Sequence, residues 1–160
     1  MILFFVGCQQ YGGDSSFVGQ NQDLKNQQDD ISKKPDLSRL VGVWQSQVLT
    51  VDPASRIWDK TTSIRLVVHK LSDEEAEYRP VPYEYRHYDV DMFERIEGDS
   101  RWLVVPDTED GWIDSSDPDT PIVFRLGGGS HIPLQISSIE DGVMKIRGPG
   151  LTSELRLVPE

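Results

Sequence analysis

From Leu37 onward the chain reads as short apolar runs separated by turn residues. Leu40-Val41-Gly42-Val43-Trp44 runs on into Val48-Leu49-Thr50-Val51 and is stopped by Pro53. Between Thr62 and Leu71 the pattern alternates, with Ile64, Leu66 and Val68 on one side and Arg65 and His69 on the other. A period of two predicts a strand with one buried face. Arg101-Trp102-Leu103-Val104-Val105 is an apolar run closed by Pro106, and Glu97-Gly98-Asp99-Ser100 before it reads as a turn. Ile122-Val123-Phe124-Arg125-Leu126 lies between Pro121 and a triple glycine. The sharpest local signal is Asp141-Gly142, set between Ile136-Ser137-Ser138-Ile139 and Val143-Met144-Lys145-Ile146. Asp-Gly supplies the positive φ angles of a type I′ turn, whose twist matches its flanking strands. The predicted hairpin places Ile139 opposite Met144 and Ser137 opposite Ile146. Gly148-Pro149-Gly150 then turns the chain into a last strand, Ser153 to Val158, with Leu155 and Leu157 sharing a face.

Long amphipathic helix patterns are missing from the sequence. Asp91 to Glu97 reads equally as a short helix or a strand, and Pro80 and Pro82 make Glu77 to Tyr88 an edge strand or an irregular loop. Many short strands at close spacing predict an all-β fold, an antiparallel small barrel or sandwich. Before Leu37 the pattern disappears. Gln9 to Asp36 is rich in Gln, Asn, Asp, Ser and Gly, and its apolar residues Phe17, Val18, Leu24 and Ile31 follow no sustained period. Such a segment cannot bury enough apolar area to offset the entropy of ordering it, which predicts a disordered, flexible tether. The expected organisation is therefore an apolar N-terminus at 1–8, a tether at 9–36 and a β domain at 37–160.

Charge narrows the partners. Among 160 residues, 16 are basic and 27 acidic, a net charge of −11 with histidine neutral. That sign argues against nucleic acid, or anionic lipid headgroups, held by a general electrostatic field. The single cysteine, Cys8, can form neither an intrachain disulfide nor a Cys-rich zinc site, so packing alone must hold the domain.

The position of that cysteine changes the picture. Met1 to Val6 is apolar and leads into Gly7 and Cys8, far short of the ~20 residues that cross a bilayer. Phe5-Val6-Gly7-Cys8 resembles the lipobox of bacterial lipoproteins. The resemblance implies cleavage of a secretory signal before Cys8 and acylation of its thiol and new amino group. Phe5 stands where that family usually has Leu, and the apolar stretch is short and lacks a basic start, so a complete signal would begin upstream of Met1. The alternative is an unstructured apolar N-terminus with an incidental cysteine. Gln9 rather than Asp after the cysteine implies an outer-membrane or cell-surface address, with a periplasm-facing one still open.

Gly42-Val43-Trp44 resembles the Gly-x-Trp signature of lipocalins and related calycin barrels. In that family the Trp plugs the closed end of an eight-stranded up-and-down barrel and an Arg from the last strand packs over it. The resemblance implies a lipocalin-like barrel with Trp44 and Arg156 as the closing pair, and Arg147 as the second choice. Another small sandwich or open barrel is the alternative.

Few patterns carry chemistry. Asp107 to Asp114, continuing to Asp117 and Asp119, has enough carboxylates for calcium, but aligning Gly111 with the EF-hand glycine puts Pro106 where a carboxylate belongs. It reads as a solvated acidic loop. Gly127-Gly128-Gly129-Ser130-His131 reads as a hairpin loop, without a nucleophile elbow. His69, His87 and His131 lack metal-ligand spacing. No catalytic residue, metal or cofactor is assigned. Tyr78-Arg79, Tyr83 and Tyr85-Arg86-His87-Tyr88 form an aromatic and basic cluster, of a kind common both among strand neighbours and at contact surfaces. Tyr83, Tyr85, Arg86, Tyr88 and Trp112 are the candidate partner contacts.

Three functions follow, in this order. The first is a non-enzymatic interaction module of the cell envelope, anchored to a membrane through a lipid and meeting a protein partner. The second is a carrier of a small apolar ligand inside a lipocalin-like barrel, which requires a large apolar cavity. The third is an enzyme, which requires a cleft joining histidines to carboxylates.

Overall fold

The computed structural model describes residues 36–108, 110–116, 122–127 and 132–159. The lipidation candidate Cys8, the tether as far as residue 35, Glu109, Asp117, Asp119 and the 128–131 segment lie outside the described residues. A 3-10 turn, Leu37–Leu40, capped by the Asp36 side chain, leads into strand β1, Gly42–Val51. The other strands are β2 (Thr61–Lys70), β3 (Tyr88–Ile96), β4 (Leu103–Val104), β5 (Trp112–Asp114), β6 (Val123–Leu126), β7 (Ile132–Glu140), β8 (Val143–Gly148) and β9 (Leu151–Val158). The β2–β3 connection carries one short helix, α1 (Asp73–Glu77), and a 3-10 turn at Tyr83–Tyr85.

The fold is all-β, one nine-stranded antiparallel sheet in the order β4-β3-β2-β1-β9-β8-β7-β6-β5. Every pair of consecutive strands is hydrogen-bonded except β4–β5, and β9 returns to β1. This is the strand cycle of an up-and-down barrel left open at one seam, and the sheet curls as a half-barrel. An isolated bridge, Val90 with Gly111, crosses towards the open seam. Gly111 is required there: a Cβ at this position would meet the Val90 carbonyl oxygen at 2.3 Å.

Alternation decides what lies inside. Ile64, Leu66 and Val68 are buried, as their period predicts, and meet Trp44, Val90, Met92, Phe124, Leu126, Leu134, Met144, Ile146 and Leu155 in one core. The interior is filled by side chains, Trp44, Trp58 and Phe124 being the largest of those fully buried. Burial of each such side chain contributes about 1.5–3 kcal/mol. The two indole N–H groups buried with them are satisfied, Trp44 donating to the Leu40 carbonyl at 2.8 Å and Trp58 to that of Pro149 at 2.8 Å.

Asp141 and Gly142 have φ of 50° and 72°, which closes the β7–β8 hairpin as the type I′ turn requires. Ile139 pairs with Met144, but Ile136, not Ser137, opposes Ile146. The register shifts between Ile136 and Ser138, making Ser137 the extra residue of a bulge, with its hydroxyl donating to the Lys145 carbonyl. Asp91 to Glu97 resolves as strand up to Ile96. Of the Glu77 to Tyr88 stretch, Glu77 ends α1, Tyr88 begins β3, and the residues between form an irregular connection rather than an edge strand.

The expected pairing of Trp44 with Arg156 is not formed. Trp44 stands opposite Leu157, whereas Arg156 stands opposite Gln45. Directly opposed residues share a face and neighbours along a strand do not, so Arg156 lies on the outer face, exposed, away from the buried Trp44 ring.

Candidate functional site

Two features of the outer surface stand apart from the packed interior. The first is the β2–β3 connection. Ser72 begins α1 with a capping box: its hydroxyl accepts from the Glu75 N–H, and the Glu75 carboxylate accepts from the Ser72 N–H at 2.9 Å. Donation from the Ser72 N–H, and from the Ser72 hydroxyl at 2.8 Å, holds the Glu75 carboxyl below its ordinary value. Arg79, whose side chain is only 9% exposed, then ties the connection to the sheet. It donates to the Tyr88 carbonyl at 2.7 Å, to Asp89 Oδ1 at 2.7 Å and to the Gly111 carbonyl at 2.9 Å. Gly111 also accepts from the Val90 N–H, so one guanidinium fastens the connection, β3 and the start of β5 together beside the seam. Burial pushes the Asp89 carboxyl up from its ordinary value, although the Arg79 charge opposes the rise.

Arg86 fixes the second half of the connection, donating to the carbonyls of Val81 at 2.8 Å and Glu77 at 3.2 Å. Its guanidinium lies 5.8 Å from the Tyr83 ring centroid, and Tyr83 meets His87 edge-on at 6.5 Å. Tyr83 remains 74% exposed and Tyr78 80% exposed. A shallow depression of about 400 Å³ is lined by Asp73, Ala76, Glu77, Tyr83, Arg86 and His87.

The expected contact residues therefore divide. Tyr83 is exposed, and Arg86 and Tyr85 beside it are half-buried. Tyr88 packs against the core, and Trp112, 9% exposed, is a buried residue of β5 rather than an open contact. Tyr78 is the exposed aromatic in their place.

The second feature lies on the outer face of β1, β2 and β3. Arg65 and Arg95 both place their guanidinium carbons over the Trp102 ring, at 4.3 Å and 4.4 Å from its centroid. Arg65 donates to Gln45 Oε1 at 3.0 Å. The Nε atoms of both arginines and the Trp102 indole nitrogen are buried without a hydrogen-bond partner. Desolvation, followed by the charge of Arg95, lowers the Arg65 pKa from its ordinary value.

Several other acidic residues and two histidines have local partners. Asp114 accepts from Ser116 and from Arg125 Nε at 3.1 Å; burial alone raises its carboxyl, but these bonds outweigh it and hold the carboxyl low. Asp99 is lowered to about 2 by its hydrogen bonds from Arg101. His69 Nε2 lies 3.8 Å from Asp91, and His87 Nε2 lies 3.6 Å from Asp73. Among the described residues, no group of three or more His, Cys, Asp or Glu side chains is placed to hold a metal ion. No helix among them is long and apolar enough to cross a membrane.

Compared with protein-family models, curated proteins and solved structures, the chain finds no match.

Proposed function

We propose that the chain is a non-enzymatic interaction module of the cell envelope, held at a membrane by a lipid on Cys8, that meets a protein partner through its β2–β3 connection. The observation that carries this reading is the pair of exposed tyrosines, Tyr78 and Tyr83, on a connection pinned by Arg79 and Arg86. Aromatic side chains are enriched among residues that dominate binding, and a backbone already fixed lowers the ordering cost of association. The lipobox-like Phe5-Val6-Gly7-Cys8 supports the anchor. The core of Trp44, Trp58 and Phe124 supports a contact module over a carrier, because these side chains occupy the space an apolar ligand would need.

The test places a photo-crosslinking residue at Tyr83 in the full chain expressed in its own host, with Lys145 on the β8 surface as the control position. A discrete cross-linked protein in the envelope fraction, formed from position 83 and not from 145, is expected. Identical products from both positions, or none from 83, would refute the contact reading.

A further inference from the structure

The Arg65–Trp102–Arg95 cluster is costly unless something completes it. Two like charges are held against one indole, in a protein whose net charge is −11. Arg65 finds only the Gln45 amide oxygen, and among the described residues no carboxylate forms an ion pair with Arg65 or Arg95. Acids elsewhere on these strands and their connections have other partners: Asp99 is bonded to Arg101, Asp91 lies near His69, and Glu94, which stands opposite the buried Ile64, accepts from Thr61. The sheet register extends the basic character. Arg156, Gln45, Arg65 and Phe93 stand in one cross-strand row on the outer face, with Val104 beyond them at the edge. Trp102 orients the two guanidiniums, and Arg156 lies two strands away in the same row.

We infer that the outer face around Arg65, Arg95 and Trp102 is a binding site for an oxyanion, a carboxylate or phosphate group carried by a ligand. Guanidinium forks suit both groups, because their planar N–H donors pair with two oxygens at once. An anion there relieves the repulsion between the arginines and gives their half-exposed guanidiniums a charged acceptor. The inference deepens the interaction-module reading by naming the chemistry of a second contact, and rests on that reading only for its biological role.

The experiment is a two-dimensional NMR titration of the purified full chain at low salt, following the Trp102 indole N–H and the arginine Nε–H signals. One arm adds inorganic phosphate, the second adds glutarate, and a third adds sodium chloride at matched ionic strength. A saturable shift of the Trp102 and Arg95 signals with phosphate or glutarate, absent with chloride, is expected; the arm with the tighter binding identifies the group. Arg95→Gln and Arg65→Gln should each weaken binding about tenfold or more, the usual loss for a charge-assisted hydrogen bond. Arg95→Lys should weaken it less, and stands in if a glutamine variant does not fold. Shifts that never saturate in the wild-type chain, or that chloride reproduces, would overturn the site. So would undiminished binding in the folded variants. None of these results depends on the Tyr83 crosslink, so the two readings fail separately.

Discussion

Replacing Arg79 with methionine keeps the aliphatic stem and removes every donor at the fastening beside the seam. The lost bonds are those to the carbonyls of Tyr88 and Gly111 and to the Asp89 carboxylate. Removing one partner of a buried pair costs roughly 3–5 kcal/mol, because the other charge is left uncompensated. Asp89 retains 25% of its surface, so water partly re-solvates it, and the expected loss is about 2–4 kcal/mol. With a urea slope near ~2 kcal/mol/M, the unfolding midpoint falls by roughly 1–2 M. The effect has a direction in pH. The folded Asp89 carboxyl already sits above its ordinary 3.8, so its contribution favours folding at low pH and is lost as pH rises through the folded value. Without Arg79 the carboxyl rises further. The cost of Arg79→Met is therefore greatest at neutral pH and shrinks on acidification through the folded pKa of Asp89. Hydrogen exchange locates the damage: the Val90 N–H, bonded to the Gly111 carbonyl at 3.0 Å, should lose protection beyond the global change, unlike the β7–β8 hairpin. A midpoint shift below about 0.3 M, the scale of an exposed ion pair, would refute the fastening role. So would a Val90 amide that follows only global stability.

Other substitutions separate close packing from backbone strain. Gly111→Ala must displace the Val90 carbonyl or break the bridge, and is expected to cost at least about 2 kcal/mol by urea denaturation. Gly142→Ala meets nothing within 4 Å and carries only the strain of φ +72°, about 1 kcal/mol in the same assay. Trp44→Phe loses the bond to the Leu40 carbonyl and part of the ring volume, and should lower stability by about 2–3 kcal/mol. The double change of Tyr78 and Tyr83 to serine should leave stability within about 0.5 kcal/mol while abolishing the cross-link to a photoreactive group moved to Glu84. Retention of that cross-link would remove the tyrosines from the contact.

Much of the sheet was legible because local patterns encode it. The alternation around Ile64, Leu66 and Val68 and the Asp141-Gly142 turn each act within a few residues, and both stand in the fold as expected. The errors have equally local causes. A bulge adds one residue with no signature of its own, which moved Ser137 out of its expected pairing. Ser72-Asp73-Glu74-Glu75 is a readable capping box, yet the helix it starts is too short to show an apolar period. β5 is three residues inside an acidic stretch, again too short for periodicity to mark. Arg156 was recoverable by parity: it lies between Leu155 and Leu157, which share a face, so it had to point the other way. The Arg65–Trp102–Arg95 cluster was not legible, because it depends on pairing between strands that the sequence does not state. Trp102 reads as part of an apolar run and stands instead just before a two-residue edge strand.

The anchor remains the premise on which the envelope role depends, and the mass of the mature chain tests it. The full gene with its upstream region would be expressed in a lipoprotein-processing host, and N-terminal peptides of wild type and Cys8→Ala compared by mass spectrometry. A peptide beginning at Cys8 and carrying an acyl mass is expected in the wild type and absent from the variant. An unmodified peptide retaining Met1 to Gly7 in the wild type would contradict the anchor.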